Sequence, residues 1–118
     1  MKAFEKIKEL VRLNGGVTIT PNGKKADLTN GYMVAVEKFN KNLKTIEDLT
    51  INDINTAEKI AKKIGGYVGL YVREDNGSVD LDISFKKADL KEALKIGRAE
   101  NQEAIFDNKN KRCIFCKK

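Results

Sequence analysis

Residues 67–85 read YVGLYVREDNGSVDLDISF, two alternating runs separated by Asp75-Asn76-Gly77. Alternation of apolar and polar side chains marks strands with one buried face, and Asn-Gly between two such runs is a strong hairpin signal. Taking Asn76-Gly77 as a two-residue loop sets Glu74 against Val79, Arg73 against Asp80, Val72 against Leu81, Tyr71 against Asp82 and Leu70 against Ile83. One face then collects Val68, Leu70, Val72, Val79, Leu81, Ile83 and Phe85. The other holds Tyr67, Gly69, Tyr71, Arg73, Asp80, Asp82 and Ser84. The apolar face is the expected core, because slipping the register by one residue would mix the two sets on every rung.

Helical spacing flanks this hairpin on both sides. Thr50 with Asp53 resembles a capping box, and Ile51, Ile54, Ala57, Ala61 and Ile64 follow at helical intervals until Gly65-Gly66 stops them. On the far side, Asp89 to about Asn101 is predicted helical, with Leu90, Ala93, Leu94 and Ile96 or Gly97 inward and Gly97 suited to close packing on a sheet. A third amphipathic pattern, Ala3, Phe4, Ile7, Leu10 and Val11, predicts a helix from Lys2 to Asn14 ended by Gly15. Short strands are expected at Val17 to Thr20, from Tyr32 to about Lys38, at Ala104 to Asp107 and at Arg112 to Phe115, with turn chemistry at Pro21-Asn22-Gly23 and Asn108 to Lys111. The stretch from Phe39 to Leu49 has no clean period and reads as an extended connection with room for a short helix or strand. The predicted order is α-β-β-α-β-β-α-β-β: one α+β domain over residues 1–118, an antiparallel sheet with three helices mainly on one face.

Composition agrees with a globular chain. Of 118 residues, 41% are hydrophobic and 34% charged, too apolar for a disordered tail, while no apolar run reaches the ~20 residues that span a bilayer. A cytoplasmic protein with no membrane partner is the expectation. The net charge of +6 suits a nucleic acid or an acidic protein surface. Its excess is nearly all lysine, however, with arginine only at positions 12, 73, 98 and 112, whereas bidentate reading of phosphate or guanine favours arginine.

Four stretches carry a resemblance: Gly31-Tyr32-Met33-Val34, GYVGLYV at 66–72, VDLDIS at 79–84 and NQEAIFD at 101–107. Their spacing resembles a diffuse family of small proteins encoded by bacteriophages, plasmids and integrated elements of bacteria, whose activities are mostly unassigned. The resemblance covers roughly residues 31 to 107 and transfers no catalytic residue. Members often carry Trp where this chain has Tyr71. What it implies is context: a mobile-element protein in a bacterial cytoplasm, where small non-catalytic inhibitors of host defence, of anti-CRISPR or anti-restriction type, are a recurring class.

The chain has no histidine, which removes Ser-His-Asp and Cys-His arrangements and most catalytic zinc sites together. Gly23-Lys24-Lys25 lacks the glycine-rich run of a phosphate loop and reads as a turn. Asp80 and Asp82 share a strand face about 6.6 to 6.8 Å apart, a spacing compatible with carboxylate chemistry or a divalent metal, against which stands an ordinary solvated polar face. Cys113 and Cys116 are half of a zinc site with no second pair, placed at a strand rather than at the helix start a redox pair favours. No metal, cofactor or catalytic group is therefore expected. Tyr67, Tyr71, Arg73, Asp80 and Asp82 form the candidate binding face, carrying residue types enriched at protein interfaces, and a protein partner is favoured. The alternative is a basic nucleic-acid-binding domain using Lys24, Lys25, Lys62, Lys63, Lys86 and Lys87. A third alternative is an unusual carboxylate- or cysteine-based activity. Oligomeric state is left open by the sequence.

Overall fold

The computed structural model describes residues 3–26, 28–36 and 40–116. Lys2, the end of the strand predicted to reach Lys38, and Phe39 lie outside the described residues, as do Lys117 and Lys118. Helix α1 is Ala3–Asn14 and strand β1 is Gly16–Ile19; β2 is Tyr32–Ala35 and β3 is Lys41–Leu43, followed by a 3-10 turn at Ile46–Asp48. Helix α2 is Ile51–Ile64, β4 is Tyr67–Val72, β5 is Val79–Lys87, α3 is Leu90–Ala99, β6 is Ala104–Asp107 and β7 is Arg112–Phe115. The short β3 extends the predicted order by one strand. It falls where the sequence has no period, because three residues pinned at the edge of a longer strand leave almost no pattern.

Local chemistry sets the ends of α2. The Thr50 hydroxyl accepts from the Asp53 amide at 3.0 Å, and the Asp53 carboxylate accepts from the Thr50 amide at 3.0 Å, a reciprocal cap on two otherwise orphaned donors. Asp53 also takes the Lys41 ammonium at 2.7 Å, and these bonds, that of Lys41 foremost, hold its carboxyl below the usual range. Gly65 closes the helix in the left-handed conformation, with φ of 72°.

All strand pairings among the described residues are antiparallel, in the order β1-β4-β5-β2-β6-β7 with β3 also beside β5. The nine-residue β5 pairs along one side with β4, and along the other with β3 through Val79–Leu81 and with β2 through Ser84–Lys87. Alternation works as anticipated. Val68 and Leu70 are fully buried, with Val79, Leu81 and Ile83 beside them, in a cluster completed by Ile7 and Val11 of α1 and by Ile54, Ala57 and Ala61 of α2. Each large aliphatic side chain removed from water here contributes ~1.5–3 kcal/mol. A second cluster packs α3 through Ala93 onto Val34, Ile105 and Phe85. Phe85 shares the parity of Ile83, so all three helices sit on one face of the sheet. Gly97 is the point of closest approach: a Cβ there would lie 3.0 Å from Ile105 and 2.8 Å from the Cys116 sulfur.

The hairpin register differs from the predicted one by two residues. Val72 pairs with Val79, Tyr71 with Asp80, Leu70 with Leu81 and Gly69 with Asp82, so Arg73 is not opposite Asp80 and Tyr71 is not opposite Asp82. The reason lies in the turn. A two-residue Asn-Gly turn needs positive φ at both positions. Gly77 has it, at 73°, but Asn76 does not. Instead the Asn76 side-chain oxygen accepts from the Ser78 amide at 2.9 Å and from its hydroxyl at 2.6 Å, while the Arg73 amide donates to the Ser78 carbonyl at 2.7 Å. Residues 74–77 thus form a four-residue loop. A shift of two leaves every side chain on the face the sequence assigned.

Candidate functional site on the open sheet face

The face opposite the helices carries Gly16 and Thr18 of β1, Tyr67, Gly69 and Tyr71 of β4, Asp80, Asp82 and Ser84 of β5, and Met33 and Ala35 of β2. Ala104 and Phe106 of β6 and Cys113 and Phe115 of β7 continue it. Because β4 and β5 lie between β1 and β2, the connection from β1 to β2 must traverse the sheet. It does so on this side, where Ala26 and Leu28 join Thr18, Tyr71, Phe106 and Lys111 around a cavity of about 550 Å³. A second cavity of about 200 Å³ is lined by Met33, Tyr71, Asp82, Ser84, Gln102, Phe106 and Cys113. Tyr71 and Phe106 border both.

Two glycines make room for Tyr71. A Cβ on Gly16 would come within 2.8 Å of the ring, and one on Gly69 within 2.7 Å of it. The phenol oxygen shares a hydrogen bond with the Thr18 hydroxyl at 3.0 Å. Although 39% of the residue is exposed, burial around the phenol and then the Asp82 charge raise its pKa, against the Thr18 bond, which lowers it.

The same absence of a Cβ at Gly69 seats Asp82, whose Oδ1 would lie 2.5 Å from such a carbon. That oxygen is sealed from solvent and has no hydrogen-bond partner, while the residue as a whole is half-buried and borders the smaller cavity. Burial, and secondarily the Asp80 charge, push the Asp82 carboxyl up to about 7. Asp80 is differently placed. Its Oδ1 accepts from Asn42 at 2.7 Å and its Oδ2 from Arg73 at 3.1 Å. The two aspartates share a face but differ in environment: one is saturated by donors, the other has a sealed oxygen with none. At neutral pH Asp82 can hold or release a proton, acting as donor to a carbonyl or as counter-ion to a cation.

Of the predicted binding residues, Tyr67, Tyr71, Asp80 and Asp82 are thus on one face. Arg73 stands at the strand end, its guanidinium held by both oxygens of Asp75 at 3.0 Å as well as by Asp80. Phe106, Met33, Thr18 and Gln102 complete the site and were not singled out from sequence; Cys113, weighed there only as half of a metal or redox pair, joins them. The parity of Ile105 and Ile114, both buried under α3 or packed against its cluster, is the signal that puts Phe106 and Cys113 on the other side. Cys116 packs under α3, so the two thiols face opposite sides of the sheet. Among the described residues no cluster of metal-ligating side chains occurs.

The predicted lysines gather at one end of the sheet. Lys24 and Lys25 follow β1, Lys62 and Lys63 end α2 just before β4 begins, and Lys86 and Lys87 end β5; the β6–β7 turn adds Lys109 and Lys111. They ring that end rather than share a plane: Lys86 is on the open face and donates to Asn30 at 2.9 Å, whereas Lys87 lies on the helical side and pairs with Glu92 at 3.4 Å. Glu47, Asp48, Glu74, Asp75, Asp80 and Glu103 lie towards the opposite end. Lys8, Arg12 and Arg73 stand among these acids and pair with Glu47, Asp75 and Asp80, so the lysine-rich end has no equally charged acidic counterpart.

These features define the chain as an α+β domain with its helices on one face of an antiparallel sheet and a hollowed, aromatic-lined surface on the other. Comparison with protein-family models, with curated proteins and with solved structures finds no match. Among the described residues no helix is long and apolar enough to cross a membrane.

Proposed function

We propose that this chain is a non-catalytic binding protein that holds a macromolecular partner, a protein in the first instance, on its open sheet face. The supporting observation is the pair of cavities joined at Tyr71 and Phe106, in which aromatic rings, a buried carboxyl and a thiol converge on a face that carries no helix. Concave aromatic surfaces with a few convergent polar groups favour anchoring of partner side chains. In the context implied by the resemblance, the partner is a component of a bacterial defence system that the protein blocks or titrates, and the setting is the cytoplasm.

The test uses affinity capture from a bacterial lysate, with and without nuclease, comparing the native chain with a Tyr71→Ala/Phe106→Ala variant whose folding is checked by circular dichroism. A discrete protein retained after nuclease and lost with the variant supports the reading. Cys113 supplies an internal reporter, since partner binding should slow its alkylation while leaving Cys116, on the opposite side, unchanged. Equal retention by a folded variant, or unprotected Cys113, refutes the site.

The second reading, nucleic-acid binding, is favoured by the lysines collected at one end of the sheet. It predicts log-log loss of affinity with salt at a slope near −0.9 per phosphate contacted on duplex DNA. A flat salt response refutes it.

A further inference from the structure

The smaller cavity has a chemistry of its own. Its walls are the rings of Tyr71 and Phe106 and the thioether of Met33, and its polar lining is Asp82, Ser84 and Gln102. None of the residues lining it is cationic, and Arg73, which bonds the neighbouring Asp80, is occupied by Asp75 and Asp80. A carboxyl with a sealed, unpartnered oxygen is costly to keep and calls for a donor. At the sheet end towards which it lies, Glu47, Asp75 and Asp80 are paired with Lys8, Arg12 and Arg73, so the attraction for a cation in the cavity comes from Asp82 itself.

We propose that this cavity receives the guanidinium of an arginine side chain presented by a protein partner, stacked between Tyr71 and Phe106 and countered by the Asp82 carboxylate. This rests on the reading of the open face as a partner surface. A guanidinium fits better than an ammonium because its planar, weakly hydrated group stacks on aromatic rings and donates in several directions at once, to the carboxylate and to the oxygens of Ser84 and Gln102. The volume of about 200 Å³ suits one side-chain head group rather than a longer segment.

Arginine entry requires an ionised Asp82, so binding expels the carboxyl proton. The titratable and charged groups facing the carboxyl are Asp80 from its own strand, Tyr71 from β4 and Cys113 from β7. The Tyr71 phenol is pushed up by burial and Asp80 is already paired with Asn42 and Arg73, which leaves Asp82 to dominate the pH response between 5.5 and 8. With its carboxyl titrating near 7, the ionised fraction grows by about 30-fold over that interval.

The experiment titrates N-acetyl-arginine amide into the isotope-labelled full chain and follows the backbone amides of Gly69, Tyr71, Asp82 and Phe106 by NMR at pH 5.5 and pH 8. The expected result is saturable shifts at those amides, at least about tenfold tighter at pH 8, with N-acetyl-lysine amide weaker by several-fold. Asp82→Asn should abolish both the binding and its pH dependence, and Phe106→Leu, which keeps the carboxyl, should weaken binding without removing the pH dependence. No shifts at pH 8, tighter binding at pH 5.5, or equal binding of the lysine probe overturns the proposal. Failure here with a partner still captured through Tyr71 and Phe106 would reject the arginine pocket alone. Loss of capture as well would reject the face.

Discussion

Replacing Asp82 by Asn should make the protein relatively more stable as pH rises. In the unfolded chain this carboxyl ionises near 3.8, whereas in the folded chain it stays protonated to about 7. Between those values the folded state binds more protons than the unfolded state, so stability contributed at low pH is withdrawn as pH climbs, completely so above 7. The full difference corresponds to about 4 kcal/mol, and because the carboxyl also borders a water-accessible cavity ~2 kcal/mol is the expected size. Asparagine has no such proton. Urea denaturation of both chains at pH 5 and pH 8 captures about three-fifths of this, because the rest is already withdrawn by pH 5, and with a slope of ~2 kcal/mol/M the gap between their midpoints should widen in favour of Asp82→Asn by ~0.6 M. The pH-independent cost of burying an amide in place of a carboxyl cancels in this comparison. So do the carboxylates of Glu47, Asp53, Asp75 and Asp107, which are held below their ordinary values and act in the opposite sense in both chains. A gap that stays constant, or closes, refutes the claim that the Asp82 environment disfavours its charge.

Other substitutions test other joints of the structure. Thr50→Ala removes the reciprocal cap of α2 and should cost ~1 kcal/mol in urea unfolding, with Thr50→Ser restoring most of it. Gly69→Ala forces a methyl group against both the Tyr71 ring and Asp82 and should cost ~1–3 kcal/mol; unchanged stability would mean that the ring does not lie where described. Thr18→Val deletes the partner of the Tyr71 hydroxyl, for a loss of ~1 kcal/mol. In spectrophotometric titration Tyr71 should ionise later than a free tyrosine, a component that Tyr71→Phe removes.

The helices and the two faces of the central hairpin were legible because burial writes them directly into the alternation of Val68, Leu70, Leu81 and Ile83. The register was not. Asn76-Gly77 permits two loop lengths, and the choice depends on whether the asparagine backbone or its side chain closes the turn, which composition alone does not decide. Tyr71 and Asp82 could be placed on one face from sequence, but Phe106, more than twenty residues away along the chain, could not be brought beside them without knowing that β2 separates β6 from β5. Nor does the sequence give a reason for glycine at positions 16 and 69, which the Tyr71 ring lying across them supplies. The lysine pairs are visible in the sequence; that they share one end follows only from strand direction.

The length of β5 has a consequence for how the molecule comes apart. Its first half belongs to the cluster under α1 and α2, and its second half, through Phe85, to the one under α3. A single strand that serves as the seam of two cores cannot be released by the fraying of either one, so the amides of Leu81 to Phe85 should exchange with solvent only through global opening. The edge strand β7 should open far more readily, and a ligand seated against Asp82 would be anchored to the last part of the sheet to lose its order.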